Sequence, residues 1–349
     1  MNKLELTQLM QALRQTPAMQ SKINIGEGIA VDASHATTLQ DFYALPGDDA
    51  AAIKTSHAYL LHACEGMIPS FVDQHPYFAG WSAVMANVSD IAAMGGRATS
   101  IVNSFWHRSH DQARELIRGM QEACQHYAVH FAGGHTHIDP TFQPALSVAI
   151  QGQAHALLSV MHVRPKQKIV LVLNMNGKFH PDTTYWKCFE GVAPAVLQHQ
   201  LDLLPQVAER RLAVAARDIS NAGILGSLLM LLEATGSGAN IQLDDIPKPT
   251  DVSWSHWLQL FPSYGFLLTA DAVHCDELTA LFASQNLHCV VIGEVNQTGC
   301  VEVACEGSIA PFWDFNTQPF TGLCYADELR QIQQNLNEIR QGEPSLCQA

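Results

Sequence analysis

Apolar residues recur along this chain at two spacings, three or four apart in some segments and in short alternating or continuous runs in others. The first spacing is typical of helices with one buried face and the second of strands. In the first half it predicts helices over Phe78–Met94 and after a capping box at Ser109–Gln112. It also predicts strands over Ile101–Trp106 and Ala145–Gln151.

The second half resumes this mixture after a basic stretch, His162–Lys168, that contains a proline. We place a domain boundary there and expect one domain over residues 1–160 and another over 161–349. Because strands and helices alternate beyond the boundary, the second domain is predicted to be α/β. The pattern does not place the aromatic residues beyond Glu306. The predicted strands are Ile169–Leu173, Ala239–Leu243, Gly265–Thr269 and His288–Val295, and the predicted helices are Ala222–Ala234 and Glu277–Ser284.

Composition and charge narrow the class of protein. The 349 residues include 19 Lys and Arg against 33 Asp and Glu, a formal net charge of −14. Sparse positive charge argues against a nucleic-acid partner and an anionic membrane surface, and no apolar run is long enough to predict a transmembrane helix. The nine cysteines form no C-x-x-C pair, and the first residues predict an amphipathic helix, not a signal peptide. We therefore expect a cytoplasmic protein.

Two acidic segments in the first half suit a divalent cation. Asp48 and Asp49 are adjacent, and like charges about 4 Å apart repel by roughly 4 kcal/mol at an effective dielectric near 20, which a bridging Mg²⁺ relieves. Asn87 and Asp90 share one face of an alanine-rich helix, where a buried carboxylate needs a partner. The ordinary alternatives are a solvated turn for the first pair and an exposed helix strip for the second.

A third acidic segment, Arg217-Asp218, precedes the leucine-rich helix of the second half. Charge at a helix N-terminus favours an anion or a metal–phosphate group. Helix capping by Ser220 or Asn221 is the structural alternative.

A glycine- and histidine-rich segment, Gly133-Gly134-His135-Thr136-His137, lies between a predicted helix and a strand. Paired glycines allow close backbone approach to a phosphate. Alternatively, His135 and His137 could form a zinc site with His126 and His130, four residues apart on the preceding helix, although no Cys or carboxylate completes a known spacing. That alternative would make the protein a histidine-based metalloenzyme.

Several common nucleotide-binding and hydrolase motifs do not occur, among them G-x-x-x-x-G-K-[ST], G-x-G-x-x-G, H-E-x-x-H and G-x-S-x-G. Their absence leaves phosphoryl transfer open, because that reaction needs mainly positioning and charge neutralisation, which carboxylate-bound metal ions can supply.

The order of these segments resembles the superfamily of aminoimidazole ribonucleotide (AIR) synthetase, thiamin monophosphate kinase, selenophosphate synthetase and a hydrogenase maturation protein. The chain resembles a branch named only as AIR-synthase-related more closely than it resembles these enzymes. The resemblance rests on Gly47-Asp48-Asp49-Ala50-Ala51, Asn87–Gly96, Gly133-Gly134-His135-Thr136, Asp218–Gly223 and Val291–Val295.

The resemblance implies a mixed α/β fold whose N-terminal strands pair with a second subunit into a shared barrel, followed by a C-terminal α/β sandwich. It also implies a homodimer that binds ATP and Mg²⁺ near the subunit interface and phosphorylates or activates a small-molecule substrate. The implied metal ligands are Asp48, Asp49, Asp90 and Asp218; the implied nucleotide-binding residues are Asp49, Asn87, Gly133, Gly134, His135 and Thr136; the implied catalytic residues are Asp90, Asp218 and His135.

The chain departs from the kinases of this superfamily at three positions. His135 and Asn221 stand where those kinases have Asp, and Glu65 is the nearest acid on the strand Tyr59–Glu65, where they also have Asp. Since the first cysteine is Cys64, an N-terminal reactive cysteine is also absent, which argues against selenium chemistry. Two hypotheses follow: an Mg-ATP-dependent kinase or synthetase, and a non-catalytic nucleotide-binding or regulatory paralogue that has lost metal carboxylates.

Overall fold

In the computed structural model, which describes residues 1–28, 44–262 and 264–330, the chain forms two main sheets with helices packed against them. The strands are β1 (Ala51–Lys54), β2 (Tyr59–Met67), β3 (Arg97–His107), β4 (His130–Ile138), β5 (Ala145–Ala154), β6 (Lys168–Leu173), β7 (Lys178–Phe179), β8 (Trp186–Lys187), β9 (Ala215–Asp218), β10 (Gly238–Gln242), β11 (Gly265–Ala270), β12 (His288–Asn296), β13 (Cys300–Cys305) and β14 (Ser308–Asp314). The helices are α1 (Lys3–Arg14), α2 (Pro17–Gln20), α3 (Pro69–Gln74), α4 (Pro76–Ala93), α5 (His110–Tyr127), α6 (Pro194–Leu201), α7 (Leu203–Glu209), α8 (Gly223–Glu233), α9 (Trp254–Trp257) and α10 (Cys275–Ala283).

The first sheet has the strand order β1-β2-β5-β3-β4; β3 and β4 pair in parallel, and the other three neighbouring pairs are antiparallel. Helices α4 and α5 cover one face. On β3, Ile101 and Phe105 point to these helices and are buried, whereas Val102 and Trp106 remain exposed on the opposite face. Among the residues that the structure describes, none therefore covers the other face of this sheet. The shared barrel requires a second subunit and stays a prediction.

The second sheet has the order β14-β13-β10-β12-β6-β11-β9 and is covered on both faces. Alternate residues of the central strand β6 pack on opposite sides: Ile169 and Leu171 face the core that contains α1 and α8, and Val170 and Val172 face α7 and α10. Burial on both faces explains why β6 is a continuous apolar run. The predicted mixed α/β fold with a C-terminal α/β sandwich is confirmed.

Helix α1 packs on β14, at the far end of the chain from where it begins. Its buried residues Leu6 and Met10 share a core with Phe312 of β14. The predicted first domain of residues 1–160 thus includes a helix whose contacts lie with the second sheet. No helix of the described segments is both long and apolar enough to cross a bilayer.

Two local predictions are wrong. Ser220 and Asn221 do not cap α8, because the helix begins at Gly223. The N–H of Ile224, in the first turn, donates to the carbonyl of Leu258 (2.9 Å) instead of to a capping side chain. His126 and His130 do not share a helix, since α5 ends at Tyr127 and His130 opens β4.

The capping box at Ser109 forms by half. Ser109 Oγ accepts from Gln112 N (3.4 Å), but the Gln112 side chain donates to the carbonyl of Asp73. The paired glycines Gly133 and Gly134 lie inside β4, not in a loop before a strand.

Candidate active site

Three carboxylates from separate parts of the chain meet between the two sheets. Asp49 lies in the loop before β1, Asp90 in the last turn of α4, and Asp218 at the end of β9. One oxygen from each lies within 4.8 Å of the others. Among the described residues, no other group of three or more His, Cys, Asp or Glu side chains is arranged to hold a metal ion. We call Asp49, Asp90 and Asp218 the acidic triad.

Strand β9 fixes Asp49 through one side chain and one backbone N–H group. Arg217 Nη2 lies 3.1 Å from Asp49 Oδ1, and the Asp218 N–H donates to Asp49 Oδ2 (3.0 Å). Arg217 also donates through Nη1 to the carbonyl of Gly47 (2.5 Å), which holds the loop against the strand. Asp90 is fixed differently, by its position on a buried helix, and its Oδ2 is buried with no hydrogen-bond partner.

Burial dominates the electrostatics of the triad. It raises the pKa of Asp49 and raises the pKa values of Asp90 and Asp218 well above their usual range. Repulsion from a neighbouring carboxylate raises the pKa of Asp90 and of Asp218 further, while Arg217 opposes the rise in all three. The unpaired oxygen of Asp90 and the crowding of three acids fit a divalent cation, whose charge would replace the protons that burial favours.

Asp48 is engaged elsewhere, although the sequence predicts it as a fourth metal ligand. Its oxygens accept from Ser159 Oγ (2.7 Å) and from Val160 N (2.8 Å). Burial raises its pKa to about 7, and these hydrogen bonds counter part of that rise. Asp48 lines the same cavity as the triad but ties its loop to the link between the sheets, so its metal role stays a prediction.

The triad lies in a cavity of about 250 Å³, and the sequence predicts few of the residues that line it. Lys22, from the loop after α2, and Glu65, from β2, add a cation and a further acid. Burial raises the pKa of Glu65, against the attraction of the Lys22 ammonium. The sequence indicates Glu65 as the nearest acid on its strand, but no pattern around Lys22 indicates a site residue. Ser220 and Asn221, which the sequence analysis singles out, also line the cavity, as does Ser82. The rest of the wall is apolar and aromatic and was not predicted; it includes Ile68, Phe71, Tyr185, Phe261 and Pro262.

The glycine- and histidine-rich segment lies apart from this cavity in its own chain. Gly133, Gly134, His135 and Thr136 belong to the edge strand β4 and none of them lines the cavity. His135 is exposed. A role at the nucleotide would require these residues to come from a second subunit.

Asn87 is fully buried on α4 and donates through Nδ2 to the carbonyl of Ala83 (2.8 Å), while its Oδ1 has no partner. It is not among the residues that line the cavity. The four histidines of the zinc alternative are not brought together as a metal site within the described residues. His126 instead bonds to the carbonyl of Glu122 and packs on Trp81.

Comparison with known proteins assigns the chain to a family. Residues 47–154 match the family description "AIR synthase related protein, N-terminal domain", and residues 184–306 match "AIR synthase related protein, C-terminal domain". An uncharacterized protein of Synechocystis sp. is 39% identical over 277 residues, which cover 79% of this chain and 86% of that protein. The chain belongs to the AIR synthase-related family. The resemblance that the acidic segments indicated is confirmed.

Relatives of the AIR synthase-related chain include ATP-using enzymes. The selenide, water dikinase of Sulfurovum sp. is 26% identical over 225 residues, covering 62% of this chain and 65% of that protein. The structure of Thermotoga maritima PurL complexed with ATP superimposes with a TM-score of 0.65 at 19% identity, covering 75% of this chain and 44% of PurL. This chain therefore spans less than half of that PurL chain, and the likeness to PurL shows the fold.

Proposed function

We propose that this protein binds ATP with Mg²⁺ and transfers a phosphoryl group to a small molecule. The observation that carries the proposal is the acidic triad, three buried carboxylates whose oxygens lie within 4.8 Å of one another. Buried acids at this spacing are costly unless a cation joins them. Support also comes from the dikinase relative and from the fold shared with PurL, which was solved with ATP.

Asp49, Asp90 and Asp218 are the residues that would hold Mg²⁺. A bound magnesium ion neutralises phosphate oxygens and so favours attack on the phosphorus. Arg217 keeps Asp49 oriented toward the triad by its contacts with Asp49 and the Gly47 carbonyl. The Lys22 ammonium, a cation on the cavity wall, binds and orients the phosphate chain.

We further propose a homodimer in which the uncovered face of the first sheet is the interface. Leu60, Val102 and Trp106 are large apolar side chains exposed on this sheet, at 42%, 49% and 37% of their surface. Large apolar side chains exposed on one sheet face favour a protein partner. Such a partner subunit could bring Gly133, Gly134, His135 and Thr136 of its own β4 to the nucleotide.

Calorimetric titration of ATP tests the proposal. We expect ATP to bind only with Mg²⁺ present, and Asp90→Asn to weaken binding by more than tenfold because one ligand of the ion loses its charge. Asp251→Asn, at an exposed aspartate away from the cavity, serves as the matched control and should bind like the wild type. Equal binding with and without Mg²⁺, or unchanged binding by Asp90→Asn, would contradict the proposal.

A non-catalytic nucleotide-binding protein is the second candidate, and His135 and Asn221 favour it because they replace acids of the related kinases. Release of ADP over time, in the presence of candidate acceptors, separates the two functions. The catalytic proposal expects ADP release that depends on Asp90, whereas a regulatory paralogue would bind ATP without turnover.

A further inference from the structure

The cavity beside the acidic triad has a second group of lining residues that the phosphate chemistry does not use. Phe71, Tyr185 and Phe261 form a continuous aromatic wall, with ring centroids 4.9 Å apart for Phe71 and Tyr185 and 5.0 Å for Tyr185 and Phe261. Ile68 and Pro262 extend this wall. Contiguous aromatic faces favour flat rings, by stacking or edge contacts. We infer that this aromatic wall, with Ser82, is the binding site of the second substrate and accepts an unphosphorylated ring compound; the inference rests on the proposed function.

Charge sets the first condition on the ring compound. Among the described residues that line the cavity, the acids Asp48, Asp49, Glu65, Asp90 and Asp218 face two bases, Lys22 and Arg217. Arg217 is already engaged by Asp49 and by a backbone carbonyl. That leaves Lys22 for the triphosphate. With one Mg²⁺ at the triad, the ion and the two bases supply four positive charges against five acids and the triphosphate. A phosphorylated substrate would add two more negative charges to this negative cavity, so an uncharged or cationic ring is favoured.

Ser82 sets the second condition. It is 2% exposed, lines the cavity, and its Oγ has no hydrogen-bond partner. Ser82, Ala86 and Asp90 lie on successive turns of α4 along one face, which places Ser82 about 12 Å along the axis from Asp90. A buried hydroxyl without a partner is destabilising. A polar atom on the ring compound would satisfy it.

Volume indicates which substrate the aromatic wall accepts. The cavity of about 250 Å³ is smaller than the roughly 300–1,000 Å³ typical of pockets that enclose a drug-sized ligand. A cavity of this size holds the terminal phosphate at the triad together with one small ring. We therefore assign the aromatic wall to the acceptor and place the adenosine end toward the mouth of the cavity.

Ligand titrations in the presence of Mg²⁺ and a non-hydrolysable ATP analogue test the inference. The probes are benzyl alcohol, 3-pyridylmethanol and 4-hydroxymethylimidazole, each paired with its monophosphate, with binding followed by saturation-transfer NMR. We expect at least one alcohol to bind, and each alcohol that binds to do so at least tenfold more tightly than its phosphate. Ser82→Ala should weaken that binding about fivefold. It should leave the unfolding temperature unchanged or higher, because it removes an unpaired buried hydroxyl. Ser89→Ala, also on α4 but outside this cavity, is the matched control.

Three results would overturn the inference: a phosphate that binds as tightly as its alcohol, no binding by any alcohol at about 10 mM, or Ser82→Ala binding like the wild type. Adenine in the aromatic wall is a separate outcome. In that case Tyr185→Ala would weaken the ATP analogue but not Mg-tripolyphosphate, and the inference would be wrong although ATP binds. Failure of the ATP analogue to bind the wild type would instead reject the proposed function itself.

Discussion

At the scale of single residues, the Asp90 carboxylate lowers the stability of the metal-free protein, although it is a proposed metal ligand. Burial raises the pKa of Asp90, so the folded protein without metal favours the protonated acid. A carboxyl whose folded pKa is raised stabilises the fold at pH values below its unfolded pKa, and that stability is lost as the pH rises toward the folded pKa. The same sign applies to Asp48. Because its pKa in the folded protein is about 7, the stability that it contributes is lost between about pH 4 and pH 7.

We therefore predict that Asp90→Asn stabilises the metal-free protein at pH 8 by about 1–3 kcal/mol, since it removes an unpaired buried charge. At pH 5 the gain should be smaller, because the raised pKa of Asp90 shifts the side chain toward its protonated form as the pH falls. Urea unfolding in EDTA at the two pH values measures both quantities, with Asp251→Asn as the neutral control. Adding Mg²⁺ should stabilise the wild type and not the variant. A destabilised variant at pH 8 would indicate that Asp90 has a structural role instead.

The residues that could be predicted from the sequence are those whose chemistry stands out locally. The local sequence predicts Asp49 from its repulsion with Asp48, Asp90 from its place on an apolar helix, and Asp218 from its place before a helix. The structure brings these three together. Lys22, Ser82 and the aromatic wall could not be found this way. Their proximity to the triad arises only from tertiary packing, and a single lysine or serine on an ordinary loop or helix carries no pattern.

At the scale of elements, helix α8 holds the segment that follows β14. Glu233, at its C-terminal end and 2% exposed, accepts from Phe320 N (2.7 Å), Thr321 N (2.8 Å), Thr321 Oγ1 (2.6 Å) and Gly322 N (3.1 Å). This segment in turn accepts from the loop that carries Lys22, since Phe320 O and Thr321 O bond to the N–H groups of residues 24 and 26. The carboxylate of Glu233 thus supports one wall of the cavity from a distance.

We predict that Glu233→Gln lowers the free energy of unfolding by about 3 kcal/mol, because an amide NH₂ group would face backbone donors in a buried site. Displacement of the Lys22 loop should also weaken ATP binding severalfold. Denaturant unfolding and calorimetry measure the two effects, and Glu302→Gln, at an exposed position of β13, is the matched control. A loss below about 1 kcal/mol would contradict the role of Glu233 as an anchor.

Helices and strands that bury a regular set of apolar residues could be predicted from the sequence. Strands that depend on pairing with distant segments could not. The predicted helix over Phe78–Met94 corresponds to α4, and the run Ile169–Leu173 to β6, because each buries a regular set of apolar residues. Strand β4 is largely exposed and interrupted by Gly133-Gly134, so it has no apolar alternation. Of the aromatic residues beyond Glu306, Phe312 and Trp313 lie in β14, which pairs with β13 and packs on α1, a long-range contact that no local pattern indicates.

At the scale of the whole molecule, the proposed homodimer explains why the candidate site residues of one chain lie in two separate places. The triad faces the cavity, whereas Gly133, Gly134, His135 and Thr136 lie on the edge strand β4, outside it. If each site combines the triad of one subunit with β4 of the other, two defective chains can complement each other. A dimer with Asp90→Asn in one chain and the double change His135→Ala, Thr136→Val in the other would contain one fully intact site.

We predict that this mixed dimer binds one equivalent of ATP with wild-type affinity, while each parental homodimer binds at least fivefold more weakly. Purification through two different affinity tags isolates the mixed dimer, and calorimetry counts its sites. A wild-type dimer carrying the same two tags controls for the tags. If each site instead lay within one chain, where β4 does not line the cavity, the His135→Ala, Thr136→Val homodimer would bind ATP like the wild type. Sedimentation of the wild type as a monomer would exclude the shared site directly, because β4 could then never reach a triad.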